Sequence, residues 1–385
     1  MKYIAFFDTT EYKAENRSVA PSASNVVRYM ADVMSEFINV EIISPSRTLN
    51  KSGFYKGRKN DVAKNITLIQ PPTFGADNKI MTLLAVIQVR VWLFLYLLIH
   101  VKRNEHFIVY HSLSYMNIIR FIKRMKNAKI IEEIREIYAD VKQISEENKV
   151  IIAKQREKEK NFFQIADKYI FPTDALNKLI NIKSKPYILA PGIYRPERKL
   201  GDKLKDGFIH VVYAGTLRPE KGGAATAVEV AAYLPSLYYV HILGYGSDEA
   251  VEQIKMQIDN VMKTSSHAKV SYDGLLRGDE FSSFLQSCHI GLVTQDTSGV
   301  FNNTSFPSKI LTYLVNDLEV ISGRIEAVEN SPVGIYLHYY DHQNPKCIAE
   351  AIQMIKTTNS VSNNIHMQKL DEQLRREISI LLENN

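Results

Sequence analysis

Residues 208–234, FIHVVYAGTLRPEKGGAATAVEVAAYL, hold an apolar run, a glycine turn and a helical pattern in one stretch. The run 208–215 is short and ends at Gly215, as a buried strand does. Gly222 and Gly223 then open a helix over 223–234. A strand, a turn and a helix in this order form the unit of a doubly wound sheet. The turn also suits a phosphate. Gly215 lets the backbone approach a ligand closely. The helix start offers unpaired N–H groups and the positive end of the dipole. Arg218 and Lys221 can neutralise a diphosphate. A plain surface turn with basic residues is the alternative. The loop is neither a Walker loop nor a GxGxxG.

The same alternation runs outward in both directions. Upstream, KYIAFF (2–7), VEIISP (40–45), ITLIQPP (66–72), HFIVYHS (106–112), KIIEEI (129–134), KYIFPT (168–173) and PYILAPG (186–192) read as strands. Helical patterns fall at 22–38, 81–100, 115–127 and 140–163, and a polar loop at 46–66. The first helix takes Ser22 or Ser24 as its N-cap. Downstream, 238–244, 269–274, 289–294 and 319–323 read as strands, and 248–262, 278–287, 307–315, 346–357 and 366–383 as helices. Residues 192–207 read as a linker. The expected fold class is therefore α/β, with two Rossmann-like domains facing a cleft. Their expected bounds are 1–195 and 196–365, with 366–385 a helix returning to the first. Ligands of such sheets bind outside the carboxyl ends of the strands.

Three more motifs follow the first. HILGYGSDE (241–249) ends a strand in Gly244-Tyr-Gly246. VSYDGLLRGDEFSSFLQSCHIGLV (270–293) is a strand, a glycine turn, a helix and a buried strand. NTSFPSKILTYL (303–314) begins a helix near Pro307, with Ser305, Ser308 and Lys309 at its start. Each alone has a reading as a turn or cap. In this order and spacing, the four motifs resemble the C-terminal half of glycosyltransferases of the GT-B fold, family-4-like. Those enzymes carry a strand–G–x–L–x–x–E–K–G run, a G-x-G strand end, V-x-F-x-G, and S-F-P-S-K-x-x-E-Y-L followed by P-V-I. The likeness covers 208–325 well and 166–198 more weakly, through ADKYIFPTDALNKLI and YILAPGIYRPE.

The resemblance implies a donor site. Lys221 would hold the donor diphosphate with Arg218 assisting, and Gly215 and Thr216 would lie beneath it. Gly244, Gly246, Leu275 and Leu276 would border the base, and Ser308 and Lys309 would meet the diphosphate from the other helix, with Ser305 a further donor-site residue at its start. Two departures stand out. Thr216 occupies the place of an arginine, and Thr304 and Thr312 occupy the places of paired glutamates, the second of which grips the donor ribose. The P-x-K…Y-L pattern also resembles bacterial transferases that use UDP-glucose or UDP-galactofuranose and lack that pair, which makes UDP the expected nucleotide. No cofactor and no metal is expected, because cationic side chains and helix ends stabilise the leaving group.

Displacement at a sugar carbon needs the acceptor hydroxyl activated by a base. Glu133 and Glu136 stand just after a strand, and His111 ends another, so these three are the catalytic candidates. A solvated charged loop and a structural histidine are the competing readings. Asp8 closes the first strand, and Arg135 can bind an acidic group or pair with a neighbouring glutamate. Ser22, Ala23 and Ser24 open a helix where related enzymes place glycines near the acceptor.

Composition bounds the rest. The chain has 385 residues, 45% hydrophobic and 23% charged, with net charge +6. Two cysteines exclude a disulfide scaffold, and MKYIAFFDTT lacks the build of a signal peptide. The spread charge and the lack of a stacking motif argue against nucleic acid. The segment MTLLAVIQVRVWLFLYLLIH (81–100) is long and apolar enough to span a bilayer, but Gln88 and Arg90 sit near its middle. It reads as a domain helix, with monotopic membrane contact as the alternative. MNIIRFIKRMKNAK (116–129) is basic and amphipathic, which reads as a domain helix with a solvated basic face or as a helix lying on anionic lipid. The expectation is a cytoplasmic hexosyltransferase, peripheral on the membrane, that extends a lipid-linked bacterial cell-surface glycan. A degenerate GT-B module or a sugar-nucleotide epimerase is the alternative.

Overall fold

A computed structural model of the chain describes residues 1–9, 14–137, 149–217, 222–264, 268–295, 306–356 and 362–383. It divides into two compact units, residues 1–190 with 374–385, and residues 191–373.

The first unit is built on one eight-stranded sheet. Across the sheet the strands run Tyr187–Leu189, Lys168–Phe171, Lys129–Glu133, His106–Tyr110, Lys2–Ile4, Val40–Ile43, Ile66–Gln70 and Arg58–Ala63. All neighbours are parallel except the last pair, which is antiparallel. Near-continuous Ile, Val and Phe make these strands, because helices cover both faces of a parallel sheet. Tyr3, Ile42, Phe107, Ile130 and Tyr169 are all buried. The outermost strand corrects the expected loop at 46–66, since Arg58–Ala63 pairs with Ile66–Gln70 around a turn with Asn65 at φ 62. Its polar sequence, RKNDVA, hid it from a hydrophobicity reading.

Other boundaries shift slightly. The helix expected at 22–38 is Pro21–Met34; its N-cap is Ala20, so Ser22 and Ser24 lie inside the first turn rather than capping it. Proline at the helix start supplies the pre-set φ instead. The apolar segment forms the helix Lys79–His100, capped by the Asn78 side chain accepting from the Met81 N–H. The expected helix at 140–163 is described from Lys149 to Phe163, and 138–148 lie outside the described residues.

The second unit carries six parallel strands in the order Lys269–Gly274, Tyr238–Tyr245, Ile209–Thr216, Ile290–Val293, Glu319–Gly323 and Leu337–Tyr340. Numbered along this unit the order is 3-2-1-4-5-6, the Rossmann order. The sixth strand was not read from the sequence, because LHYY is short and half polar. At the reversal point, Ile209–Thr216 pairs with Ile290–Val293 only at Val211 and Val212. Beyond that the two central strands part, and the Tyr313 hydroxyl fills the gap. It accepts from the Ala214 N–H at 2.8 Å and lies 3.5 Å from the Leu292 carbonyl. Gly291 makes room for it, since a Cβ there would stand 2.8 Å from the Tyr313 Cβ.

Removing that hydroxyl leaves a buried N–H without its partner. Tyr313→Phe is expected to destabilise the protein by about 1–3 kcal/mol, read as a lower urea midpoint with an unchanged slope.

Candidate functional site

The reversal point of the second sheet is built on two facing glycines. Gly215 and Gly244 are register partners on adjacent strands. Gly244 has φ 150, and a Cβ on it would fall 1.7 Å from the Gly215 carbonyl oxygen. Only glycine fits there. Lys309 reaches over this floor from the helix Ser308–Leu314. Its ammonium sits 4.0 Å from the centre of the Tyr213 ring, and a Cβ on Gly215 would meet its Cε at 2.6 Å. The neighbouring strand thus requires glycine at 244, and Gly215 leaves the space that the end of the lysine side chain occupies.

Around this floor the backbone is held by side chains. Gly222 has φ 61 and caps the helix Gly223–Val230. A Cβ on Gly223 would stand 2.9 Å from the Tyr213 hydroxyl, and the Gly223 carbonyl accepts from the Thr294 hydroxyl at 2.6 Å. The helix start is thereby pinned to the strand on the other side of the reversal point. Gly246 abuts the Leu217 carbonyl, and Tyr272 donates to the Gly244 carbonyl at 3.0 Å. Past Gly274, at φ 79, Leu275 is exposed. Leu276 lines an open groove of about 520 Å³ with Asp273, Glu280 and Phe284.

Of the donor residues expected from the sequence, Gly215, Thr216, Gly244 and Lys309 come together at the strand ends. Ser308 is exposed at the start of the lysine's helix. The Thr312 hydroxyl donates to the Ser308 carbonyl at 3.1 Å, so it is turned onto its own helix. Arg218, Lys221, Thr304 and Ser305 lie outside the described residues. The sequence reading missed Tyr213, Thr294 and Tyr313, because apolar context marks the two tyrosines simply as core.

The acceptor-side candidates need correcting. Glu133 and His111 do not stand open at their strand ends. Glu133 is fully buried and accepts from the Tyr3 hydroxyl and from Arg135. Arg135 also donates to the Ala190 carbonyl, so its pairing is internal. His111 is buried between two buried carboxylates, with Nδ1 3.0 Å from Glu132 and Nε2 3.1 Å from Glu159. Burial opposes its positive charge, but hydrogen bonds and attraction to both glutamates outweigh it, and its pKa is raised. Burial likewise raises the pKa of Glu132, against the pull of His111. Glu136 is half-buried just past the strand. Asp8 accepts from Arg58 and Gln70, each at 3.1 Å.

The first sheet has its own reversal point, between Lys2–Ile4 and His106–Tyr110. Outside the strand ends there lies a cavity of about 140 Å³. Phe6, Val86, Val89, Leu93 and Tyr115 give it apolar walls, and Arg47 and Arg90 add two guanidinium groups. The sequence did not reveal it, since Arg47 follows one strand and Arg90 rides a helix far along the chain.

No family model matches the sequence, and no curated protein does. Solved structures do match. Sucrose-phosphate synthase from Thermosynechococcus elongatus superposes with a TM-score of 0.69 at 12% identity, over 100% of this chain and 99% of that one. An E. coli trehalose-6-phosphate structure bound with UDP-2-fluoro glucose gives 0.66 at 10% identity, over 100% and 98%. A UDP-forming alpha,alpha-trehalose-phosphate synthase from Burkholderia xenovorans in complex with glucose-6-phosphate gives 0.64 at 10%, over 100% and 98%. The chain has the GT-B fold, with two Rossmann-like domains. The likeness to family-4-like members rests on the four motifs.

Two outcomes are expected. Gly244→Ala places a methyl against the Gly215 carbonyl and should cost about 2–3 kcal/mol, measured by urea unfolding. The second concerns pH. His111 and Glu132 both hold a proton more tightly folded than unfolded, so each favours the fold at low pH. The His111 contribution is full below about pH 6.5 and is lost as pH rises through its raised value. The Glu132 contribution declines likewise above the ordinary carboxylate range. Melting temperature should therefore fall from pH 6.5 upward, and more gently in His111→Gln. Equal slopes in the two proteins would remove His111 as a cause.

Proposed function

We propose that the protein is a glycosyltransferase that moves a hexose from a UDP-linked donor onto a lipid-linked bacterial cell-surface glycan, working at the cytoplasmic face of the membrane. Glucose, galactose and galactofuranose are the proposed hexoses. The observation that carries the reading is the glycine floor of Gly215 and Gly244 beneath the Lys309 ammonium, at the reversal point of a Rossmann-ordered sheet. Ligands of such sheets sit at that point. Neighbouring structures in complex with UDP-2-fluoro glucose and with glucose-6-phosphate support a nucleotide-sugar donor and a sugar acceptor.

The chemistry follows from charge. As the glycosidic bond to the donor breaks, negative charge grows on the departing diphosphate. Lys309 and the N–H groups at the start of Gly223–Val230 would stabilise it, with Lys221 and Arg218 added by motif resemblance. Close backbone approach at Gly215 would bring the diphosphate into reach. Glu136 is the proposed base that takes the acceptor proton, from its half-buried place just past the strand Lys129–Glu133. The cavity at the first sheet's reversal point suits an acceptor with an apolar and an anionic part, which favours a lipid-linked one.

A thermal-shift series with UDP, GDP, ADP and CMP tests the donor. Nucleotide at 100 times its Kd adds about 2.7 kcal/mol, and the shift is expected with UDP. No shift with any of the four would overturn the donor assignment. Lys309→Ala should cut UDP-hexose turnover about 100-fold or more, and intact turnover would remove the lysine from the mechanism.

A further inference from the structure

The helix Lys79–His100 carries two apolar stripes. Ala85, Val89, Leu93 and Leu97 recur every four residues and are buried. Leu83, Ile87, Val91 and Leu95, offset by two, are 46–59% exposed. Ile80 and Ile99, each 73% exposed, extend the outer stripe to both ends of the helix, a length of about 30 Å. The adjacent helix Met116–Lys126 continues the face. Its Phe121 ring lies 5.4 Å from that of Phe94, and Phe121 and Met125 are both exposed. Contiguous apolar surface of this extent marks an interaction site.

Charge identifies the partner. Residues 78–131 contain nine Lys or Arg and one acidic residue, Glu105, which pairs with Lys2. Lys123 and Lys129 face Asp167, whereas Arg90, Arg120 and Arg124 are exposed and make no ion pair among the described residues. A rim with this excess of positive charge repels a second copy of itself and attracts an anionic surface. The helix cannot leave the domain to span a bilayer. Its inner stripe is packed in the core, and the Gln88 amide donates to the Pro72 carbonyl at 2.8 Å.

We infer that this face seats the protein flat on an anionic lipid bilayer, with the outer stripe in the acyl boundary and the arginines among the headgroups. The inference deepens the proposed function, whose membrane location it rests on, and Arg90 also lines the cavity given there to the acceptor; neither stripe nor rim belongs to the donor site, so the two can fail separately.

The full-length chain is tested by co-sedimentation with vesicles of phosphatidylglycerol and of phosphatidylcholine. The wild type should bind the first, weaken with salt, and bind the second poorly. Trp92 is the chain's sole tryptophan and rides the same helix, so its emission reports binding directly. Two variants alter only exposed positions, Ile87→Glu with Val91→Glu, and Arg120→Glu with Arg124→Glu. Each should lose about tenfold or more in vesicle affinity, with unchanged circular dichroism and an unchanged UDP shift. Failure of the wild type to bind phosphatidylglycerol, or unchanged binding by both variants, would overturn the inference. So would a dimer in sedimentation that Ile87→Glu with Val91→Glu dissolves while vesicle binding is absent. A lost UDP shift in the wild type would count against the donor site alone.

Discussion

The second domain depends on a hydroxyl group placed between two strands. Parallel strands share evenly spaced hydrogen bonds, and any opening between them exposes N–H and C=O groups that must find other partners. Here the two central strands part after Val212 and Gly291, and Tyr313 takes up the Ala214 N–H. The opening lies at the sheet end, where ligands of such sheets bind. Gly215, Tyr213 and Thr294 all lie just past it, and Lys309 belongs to the same helix as Tyr313, so one helix both fills the opening and extends a cation over it. Stability and the shape of the sheet end thus depend on the same few residues, which leaves little freedom to vary either one alone.

The two domains solve the same problem differently. Both place the chain reversal beside the first strand, yet the second uses glycine and a lysine there, and the first uses apolar walls with two arginines. Glycines admit a ligand to the backbone, as a diphosphate requires. Apolar walls exclude water and favour a ligand with a greasy part. The division of labour is written in side-chain size.

Much of this was legible in the sequence. Buried parallel strands are near-continuous apolar runs, so KYIAFF, HFIVYHS and HIGLVT declared themselves, and glycines at the ends of two such runs marked the paired-glycine floor beneath Lys309. Arg58–Ala63 was not legible, because an edge strand with charges in it looks like a loop until its partner is known. Glu133 and His111 mislead for a related reason. A strand end predicts nearness to the site, but whether the side chain is open depends on Tyr3 and Glu159, which come from other parts of the chain. Residues Arg47 and Arg90 meet only through the fold.

The polar edge strand has a wider consequence. An exposed sheet edge is an invitation to a further strand from another molecule. Arg58–Ala63 closes that edge with alternating charge, Lys59 and Asp61 among them, and the opposite edge, Tyr187–Leu189, is only three residues long. Both edges of the first domain's sheet are therefore poor templates for a further strand. Self-association of this domain is thereby left to side chains, with the exposed apolar face of Lys79–His100 the broadest surface offered for it.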